Sequence, residues 1–291
     1  MTAESGVTTY FSRPIRRNCL RMWLIVLVCL IRTISISAED LRPVSSIYGL
    51  QFGGISAYST YLSPLTSTGT VFGVYGNWQK ALPFSPDNAI MEFDTSVKGG
   101  TMLNPPATAR MVDLDFSLSW GMAYRKRLPY NLQATAGGDL RVDGGMLWLT
   151  RNGNNPVAAR AYPDIAAKGS LSWHLSIGRL PILIADEVRI PVAGLFFSPA
   201  YGETYYEIYL GNRSGLVHFG YPGNHFTLSN LFTVNLDFGR TAMQIGYRLE
   251  TDTSWCNNIN THIYRNMLVI GVIPGGLGLK NKNKNCNHAR Y

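Results

Sequence analysis

The sequence predicts an all-β chain: an up-and-down antiparallel β-barrel that crosses a membrane, of about ten strands, with twelve as the alternative count. Three observations predict it: hydrophobicity alternates with period two over long stretches, short and long connections alternate along the chain, and charged residues are scarce. Only 15% of the 291 residues are charged while 46% are hydrophobic. A soluble domain carries roughly a quarter charged residues, so this chain is short of solvated surface. Its mean hydropathy is nevertheless zero, which is too polar for a bundle of membrane helices. Alternating faces that cancel give both results at once.

The chain opens with Arg13, Arg16, Arg17 and Arg21, then an apolar run at 22–31, then Ser35, Ser37 and Ala38 before Glu39 and Asp40. Basic, apolar and small residues in that order form a secretory leader, 1–38, with cleavage expected near Ala38. The apolar run is too short for a spanning helix, which needs about 20 residues. Removing the leader leaves 21 basic and 17 acidic residues, so half of the formal +8 belongs to targeting. No basic patch with interleaved aromatics remains, and nucleic acid is not an expected partner. Cys256 and Cys286 are too few for a disulfide scaffold.

A short lead, 39–45, comes before the barrel, 46–273. The first strand is expected at 47–59. Strands at 72–79 and 91–98 follow, with Phe72, Val74 and Trp78, then Met91, Phe93 and Val97, on their apolar faces. The clearest strand is 112–124, where Val112, Leu114, Phe116, Leu118, Trp120, Met122 and Tyr124 oppose Asp113, Asp115, Ser117, Ser119, Gly121 and Ala123. Thirteen residues is more than the roughly 9 to 11 that cross a membrane at a tilt. Further strands fall at 139–148, 171–177, 182–197, 232–238, 243–250 and 262–272. They join through short connections at 81–88, 125–129, 178–181 and 238–240, and longer ones at 60–67, 100–111, 150–163, 198–225 and 251–261. Short turns toward the periplasm and long loops outward are the pattern of outer-membrane barrels. Trp78, Trp120, Tyr124, Tyr130 and Phe238 beside the short turns, and Trp148 and Tyr247 beside the long loops, suit two aromatic belts.

The mid-strand charges fall on the polar face. A lumen network is expected from Glu92, Asp94, Lys98, Asp113, Asp115, Asp139, Arg141, Asp143, His174 and Arg248, joined by Lys168, Glu187, Arg189, Asp237 and Glu250. Ten strands enclose a narrow lumen, better filled by paired charges than by a water column. Asp186 shares parity with Ile184 and Val188 and so breaks the pattern. No metal ligand set, cofactor or catalytic residue is assigned; Arg141 between Asp139 and Asp143 argues against calcium. His225 and Ser229 invite comparison with outer-membrane phospholipases, but four residues along one strand separate them by about 13 Å. Asp113, Asp115 and His262 invite comparison with omptin-like proteases, without a spacing that links them.

The loop 198–225 is rich in tyrosine. Tyr201, Tyr205, Tyr206 and Tyr209 are the candidate ligand contacts; Tyr201, Tyr205 and Tyr209, spaced by four, would stack along one side of a short helix. Tyrosine offers broad contact area with a polar tip and suits sugar or protein recognition; the competing expectation is a loop that packs its rings over or into the barrel mouth, since a loop this long must bury something to be ordered.

The leader, Leu62-Ser63-Pro64-Leu65, Phe196-Phe197-Ser198-Pro199, Tyr201-Gly202-Glu203 and Tyr205-Tyr206-Glu207 resemble an uncharacterised outer-membrane β-barrel family of Bacteroidota, a domain of unknown function. The resemblance covers most of 45–273. It implies a barrel of the outer membrane of a Gram-negative bacterium, in contact with outer-membrane lipid and the barrel assembly machinery, and it brings no activity. Such barrels usually end on a strand with a terminal aromatic residue; here Pro274 and Gly275-Gly276 interrupt, and a basic, flexible tail is expected at 274–291.

The sequence therefore points to an outer-membrane barrel with a structural, binding or small-solute role, porin-like in build, acting through its outer loops and polar lumen. Two other readings compete with it. One is an outer-membrane hydrolase of lipid or peptide at the outer rim. The other is a secreted soluble barrel that binds an apolar ligand, in which the faces would be inverted.

Overall fold

The computed structural model describes residues 44–153 and 155–277. The expected leader 1–38 and its cleavage point, nearly all of the lead 39–45, most of the tail and Cys286 lie outside the described residues.

Among the described residues eleven strands and one helix follow in order: β1 (Val44–Ser59), β2 (Ser63–Ala81), β3 (Ala89–Leu103), β4 (Arg110–Leu128), β5 (Leu132–Leu149), β6 (Val157–Ile177), β7 (Leu180–Phe197), α1 (Tyr205–Leu210), β8 (Val217–Gly220), β9 (His225–Asp237), β10 (Thr241–Cys256) and β11 (Ile259–Pro274). From β1 to β8 each strand pairs antiparallel with the next, as do β9 with β10 and β10 with β11; β7 also pairs with β9, and β11 returns to β1 from Tyr48↔Val272 to Ser59↔Thr261. Ten strands thus close into a barrel, with β8 added at the outer end of β7. β1 starts and β11 ends at the short-turn end of the barrel.

Alternation sets the faces. Leu114, Phe116, Leu118, Trp120, Met122 and Tyr124 are exposed outward, whereas Met111, Asp113, Ser119, Ala123 and Arg125 are buried within. A soluble barrel with its apolar face inside is therefore not what this chain forms.

Two expectations need correction. The ten strands of the closed barrel are longer than the alternation suggests, from 13 residues in β9 to 21 in β6. The expected loop 150–163 shrinks to 150–156, and Arg160 and Tyr162 become strand residues. Long strands also shorten the outer connections: 60–62 and 257–258 are tight turns, the latter with Asn257 and Asn258 at φ 51° and 61°. Asparagine tolerates the left-handed region that such a two-residue hairpin turn requires. The loop-length contrast between the two ends therefore rests mainly on 198–224.

The inner face is not polar throughout. At the outer end Ile55, Leu62, Val71, Met102, Met111, Leu147, Ile263 and Met267 form a buried apolar cluster. At the short-turn end Ile47, Tyr75, Leu183, Ala242, Val269, Ile273 and Leu277 form another. Leu277 comes from the start of the expected tail. Gly275 N donates to Arg240 O at 3.0 Å and Gly276 N to Ile273 O at 3.2 Å, which turns the chain under the barrel. Both glycines have positive φ, 84° and 69°, and a Cβ on Gly276 would lie 2.3 Å from Gly239 O. Gly276→Val should therefore destabilise the barrel by about 1–3 kcal/mol. Gly169→Ala on the outer wall, where an added Cβ meets nothing within 4 Å, should leave the urea midpoint in lipid unchanged.

Candidate functional site

Between the two apolar clusters lies a layer of charge. Asp113, fully buried, is held by Arg160 at 2.7 Å and by Arg265 at 2.7 and 3.1 Å. Arg160 also reaches Asp252 at 3.1 Å, and Lys98 bridges Glu250 at 2.6 Å and Asp115 at 3.0 Å. Arg141 grips Asp164 with two nitrogens, at 2.6 and 3.1 Å, and Asp143 at 3.1 Å. Lys168 joins Glu92 and Glu187, and Arg189 joins Asp94 and Asp139, each at 2.7 Å. Asn77 donates to both Glu92 and Asp94. Arg248 donates to Gln51 at 3.0 Å and lies 5.0 Å over the Tyr75 ring.

The network thus contains nine of the ten predicted lumen residues. His174 shares the inner face of β6 but stands at the short-turn end, opposite Leu183. Sequence reading missed Arg160, Asp164, Asp252 and Arg265. The first two lie in or just past a segment read as loop; Asp252 lies in another. Arg265 stands between Ile263 and Met267 on an inner face that does not look polar.

Among the described residues the network joins ten carboxylates and seven cations, and a cavity of about 170 Å³ within it is lined by seven carboxylates (Glu92, Asp94, Asp115, Asp143, Glu187, Glu250, Asp252) and seven cations (Lys98, Arg125, Arg141, Lys168, Arg189, Arg248, Arg265), with Asp113, Asp139, Asp164 and Arg160 behind them. Burial is uneven. Lys168 and Arg265 are 4% and 3% exposed, against 23% for Asp94 and 27% for Glu187. The cavity wall is therefore balanced in number of charges, and its least buried charges are the carboxylates Asp94 and Glu187. Among the described residues no group of three or more His, Cys, Asp or Glu is placed to hold a metal ion.

The outer mouth is covered by 198–224. Asn257 Nδ2 donates to the carbonyls of Ser198, Pro199 and Gly215, each at 3.3 Å. The Tyr61 hydroxyl donates to Glu203 O at 2.6 Å, and Ala159 N donates to the Tyr205 hydroxyl at 2.8 Å. The two rings meet edge to face at 6.1 Å. Thr204 and Glu207 form a reciprocal capping box at the start of α1, and Gly211 ends it at φ 117°. The backbone N–H and hydroxyl of Thr204 hold the Glu207 carboxyl below its usual range.

The tyrosines therefore do not line one side. Tyr205 turns toward the barrel as an anchor, while Tyr201, Tyr206 and Tyr209 are 64%, 68% and 79% exposed. The helix begins only at Tyr205, so Tyr201 lies before it and the four-residue spacing does not apply.

The residues weighed for hydrolysis do not converge. His225 is packed between Phe196 and Tyr162, with Nε2 3.7 Å from Asp252, and no hydrogen bond joins it to Ser229. His262 stacks on Tyr58 and Tyr264 on the outer wall, so the wall separates it from Asp113 and Asp115.

The family model described as Protein of unknown function (DUF3316) matches residues 20–283. The chain belongs to that family. No curated protein matches it. Among solved structures it is similar to the translocator domain of autotransporter NalP from Neisseria meningitidis, at 8% identity over 88% of this chain and 95% of that one, with a TM-score of 0.40. It is also similar to the transport unit of the autotransporter AIDA-I from Escherichia coli, at 6% identity over 83% and 93%, TM-score 0.44. A third is the COG4313 outer membrane channel from Pseudomonas putida F1, at 12% identity over 82% and 99%, TM-score 0.31. The barrel of this chain is established by its own strand pairing.

Two outcomes follow from the site. Asp113→Leu leaves Arg160 and Arg265 short of their shared carboxylate and should cost about 3–5 kcal/mol in urea unfolding; adding Arg160→Met and Arg265→Met should recover most of it. Burial, then Tyr205 and Glu203 nearby, push the Tyr61 hydroxyl up from 10.0 to about 12. The unfolded tyrosine ionises first, so the anchor's contribution to stability is complete below about pH 10 and falls as pH rises toward 12. A pH titration of stability should show a smaller loss in Tyr61→Phe than in the wild type, the remainder coming from groups such as Tyr205, which burial also pushes up.

Proposed function

We propose that this chain is a β-barrel of the outer membrane of a Gram-negative bacterium, delivered by the leader 1–38, closed through its lumen at rest, and acting at the cell surface by recognition through 198–224. The membrane part is supported by the outward band of Leu, Val, Phe, Trp and Tyr with the charges enclosed. In a soluble protein exposed apolar patches rarely exceed a few hundred Å², and a wall of this kind suits lipid.

One observation carries the recognition role. The loop is fastened to the barrel by Asn257, Tyr61 and Tyr205, yet holds Tyr201, Tyr206, Tyr209 and Leu210 out in solvent. Large rings held rigid and exposed give contact area at low entropic cost, and their flat faces with polar tips fit saccharide rings. A second reading, a lumen that holds a small cationic solute, is favoured by Asp94 and Glu187, the least buried charges around the cavity.

A folded sample should shift on a heat-modifiability gel and show no steady conductance in a planar bilayer. A steady cation-preferring current would move the role into the lumen. Leu118→Arg should cost about 2–4 kcal/mol in lipid; an unchanged midpoint would count against the membrane reading. Calorimetry against a panel of bacterial surface oligosaccharides should show binding that Tyr206→Ala with Tyr209→Ala weakens about tenfold. Absence of any binding partner in that panel would remove the saccharide reading.

A further inference from the structure

On the outer wall, Asp186 of β7 and Asn230 of β9 interrupt an otherwise apolar band. Along β7 the neighbours of the same parity are Ile184 on one side and Val188, Ile190 and Val192 on the other, with Ile182 buried beyond Ile184. Along β9 they are Phe226 and Leu228, then Phe232, Val234 and Leu236. The polar pair therefore sits within the band rather than at its edge. The Asn230 amide donates to Asp186 Oδ1 at 2.7 Å and to Glu187 O at 3.3 Å, which uses its donors. Asp186 Oδ2 and Asn230 Oδ1 are left without a donor among the described residues. By contrast Asn266, also outward, receives the Tyr247 hydroxyl at 2.9 Å.

Lipid tails supply no donor, and an ionisable group facing them is costly. The same sector has the matching deficit: the outward Trp173 ring on β6, two residues beyond the Leu171 that pairs with Asp186, makes no hydrogen bond through its indole N–H among the described residues. The sector also has a hollow. Ala136 pairs with Gly169 and Gly138 with Ala167, and Gly169 pairs with Val188. A Cβ on Gly169 would meet nothing within 4 Å, while Leu140, Ile165 and Leu171 stand exposed around this floor.

We propose that this β5–β6–β7–β9 sector is the contact face between two copies of the chain in the membrane. It rests on the membrane reading above. A two-fold contact is isologous, so each residue i that meets j is repeated as j meeting i. One patch that carries both unmet acceptors and an unmet donor, beside a hollow with protruding aliphatic neighbours, is complementary to itself. Each copy offers its Trp173 N–H toward the other's Asp186 and Asn230 oxygens and an aliphatic side chain toward the other's hollow. A lipid chain fills the hollow but leaves the acceptors unmet.

Val188→Cys, beside Asn230, tests the face in isolated membranes with a short bismaleimide. The control is Gly54→Cys, outward on β1 across the barrel. The native cysteines are common to both. Val188→Cys should give a product of twice the monomer mass and Gly54→Cys should not. Gly169→Leu, filling the hollow, should weaken dimerisation in mild detergent about tenfold while the heat-modifiability shift is retained. A heat-modifiable barrel that is monomeric throughout, or that cross-links equally at both positions, or whose dimer survives Gly169→Leu, overturns the proposal. A chain that shows no heat-modifiability overturns the membrane reading on which it rests.

Discussion

The constraint on which everything else depends is that a sheet facing lipid can have no edge. An unpaired backbone N–H or C=O in an apolar medium costs several kcal/mol, so the sheet must close on itself. The pairing of β1 with β11 performs that closure, in the same register logic that joins every other neighbour. Closure then fixes which side chains share the inside. Because strand side chains alternate, one choice of register places Leu114, Leu118 and Trp120 outside and Asp113, Asp115 and Ser119 inside, and a slip of one residue would reverse all of them.

Closure also makes the lumen small, and its filling follows from that. A narrow interior cannot hydrate ten carboxylates and seven cations separately, so they satisfy one another across the barrel: Asp113 of β4 through Arg160 of β6 and Arg265 of β11, and Glu92 of β3 through Lys168 of β6. These bridges tie strands that do not pair with each other. The apolar clusters above and below shield them from bulk water, which raises the cost of breaking any one bridge. The outer loop works by the same economy of groups. Its backbone carbonyls are met by Asn257 and Tyr61 from neighbouring turns, so its order comes from hydrogen bonds at its base, and Tyr201, Tyr206 and Tyr209 are left to face solvent.

Much of this was legible in the sequence. Ten strands and the inward parity of Glu92, Asp94, Asp113, Asp139 and Asp143 follow from alternation alone. What alternation could not show is where both faces are apolar. The outer ends of β1 and β11 carry Ile55, Ala57 and Ile263 inward, so the period fades there and Arg265 stays hidden. Arg160 and Asp164 were obscured by Gly153, Pro156 and Pro163, which read as loop although Val157–Ile177 is one strand. Asp186 broke the parity rule, and the structure keeps it broken: it faces outward and takes its partner from Asn230. The tyrosine loop was legible in composition but not in geometry, because the helix start is set by the Thr204 and Glu207 capping box.

The central claim, a closed barrel with its apolar face toward lipid, is tested most directly by spin labels placed singly at residues 112–124 of β4 in a lipid bilayer. Oxygen accessibility should peak at positions 114, 116, 118, 120 and 122 and fall at 113, 115, 117, 119 and 121, with period two. Peaks at the same even positions for a water-soluble nickel reagent instead of oxygen would contradict it.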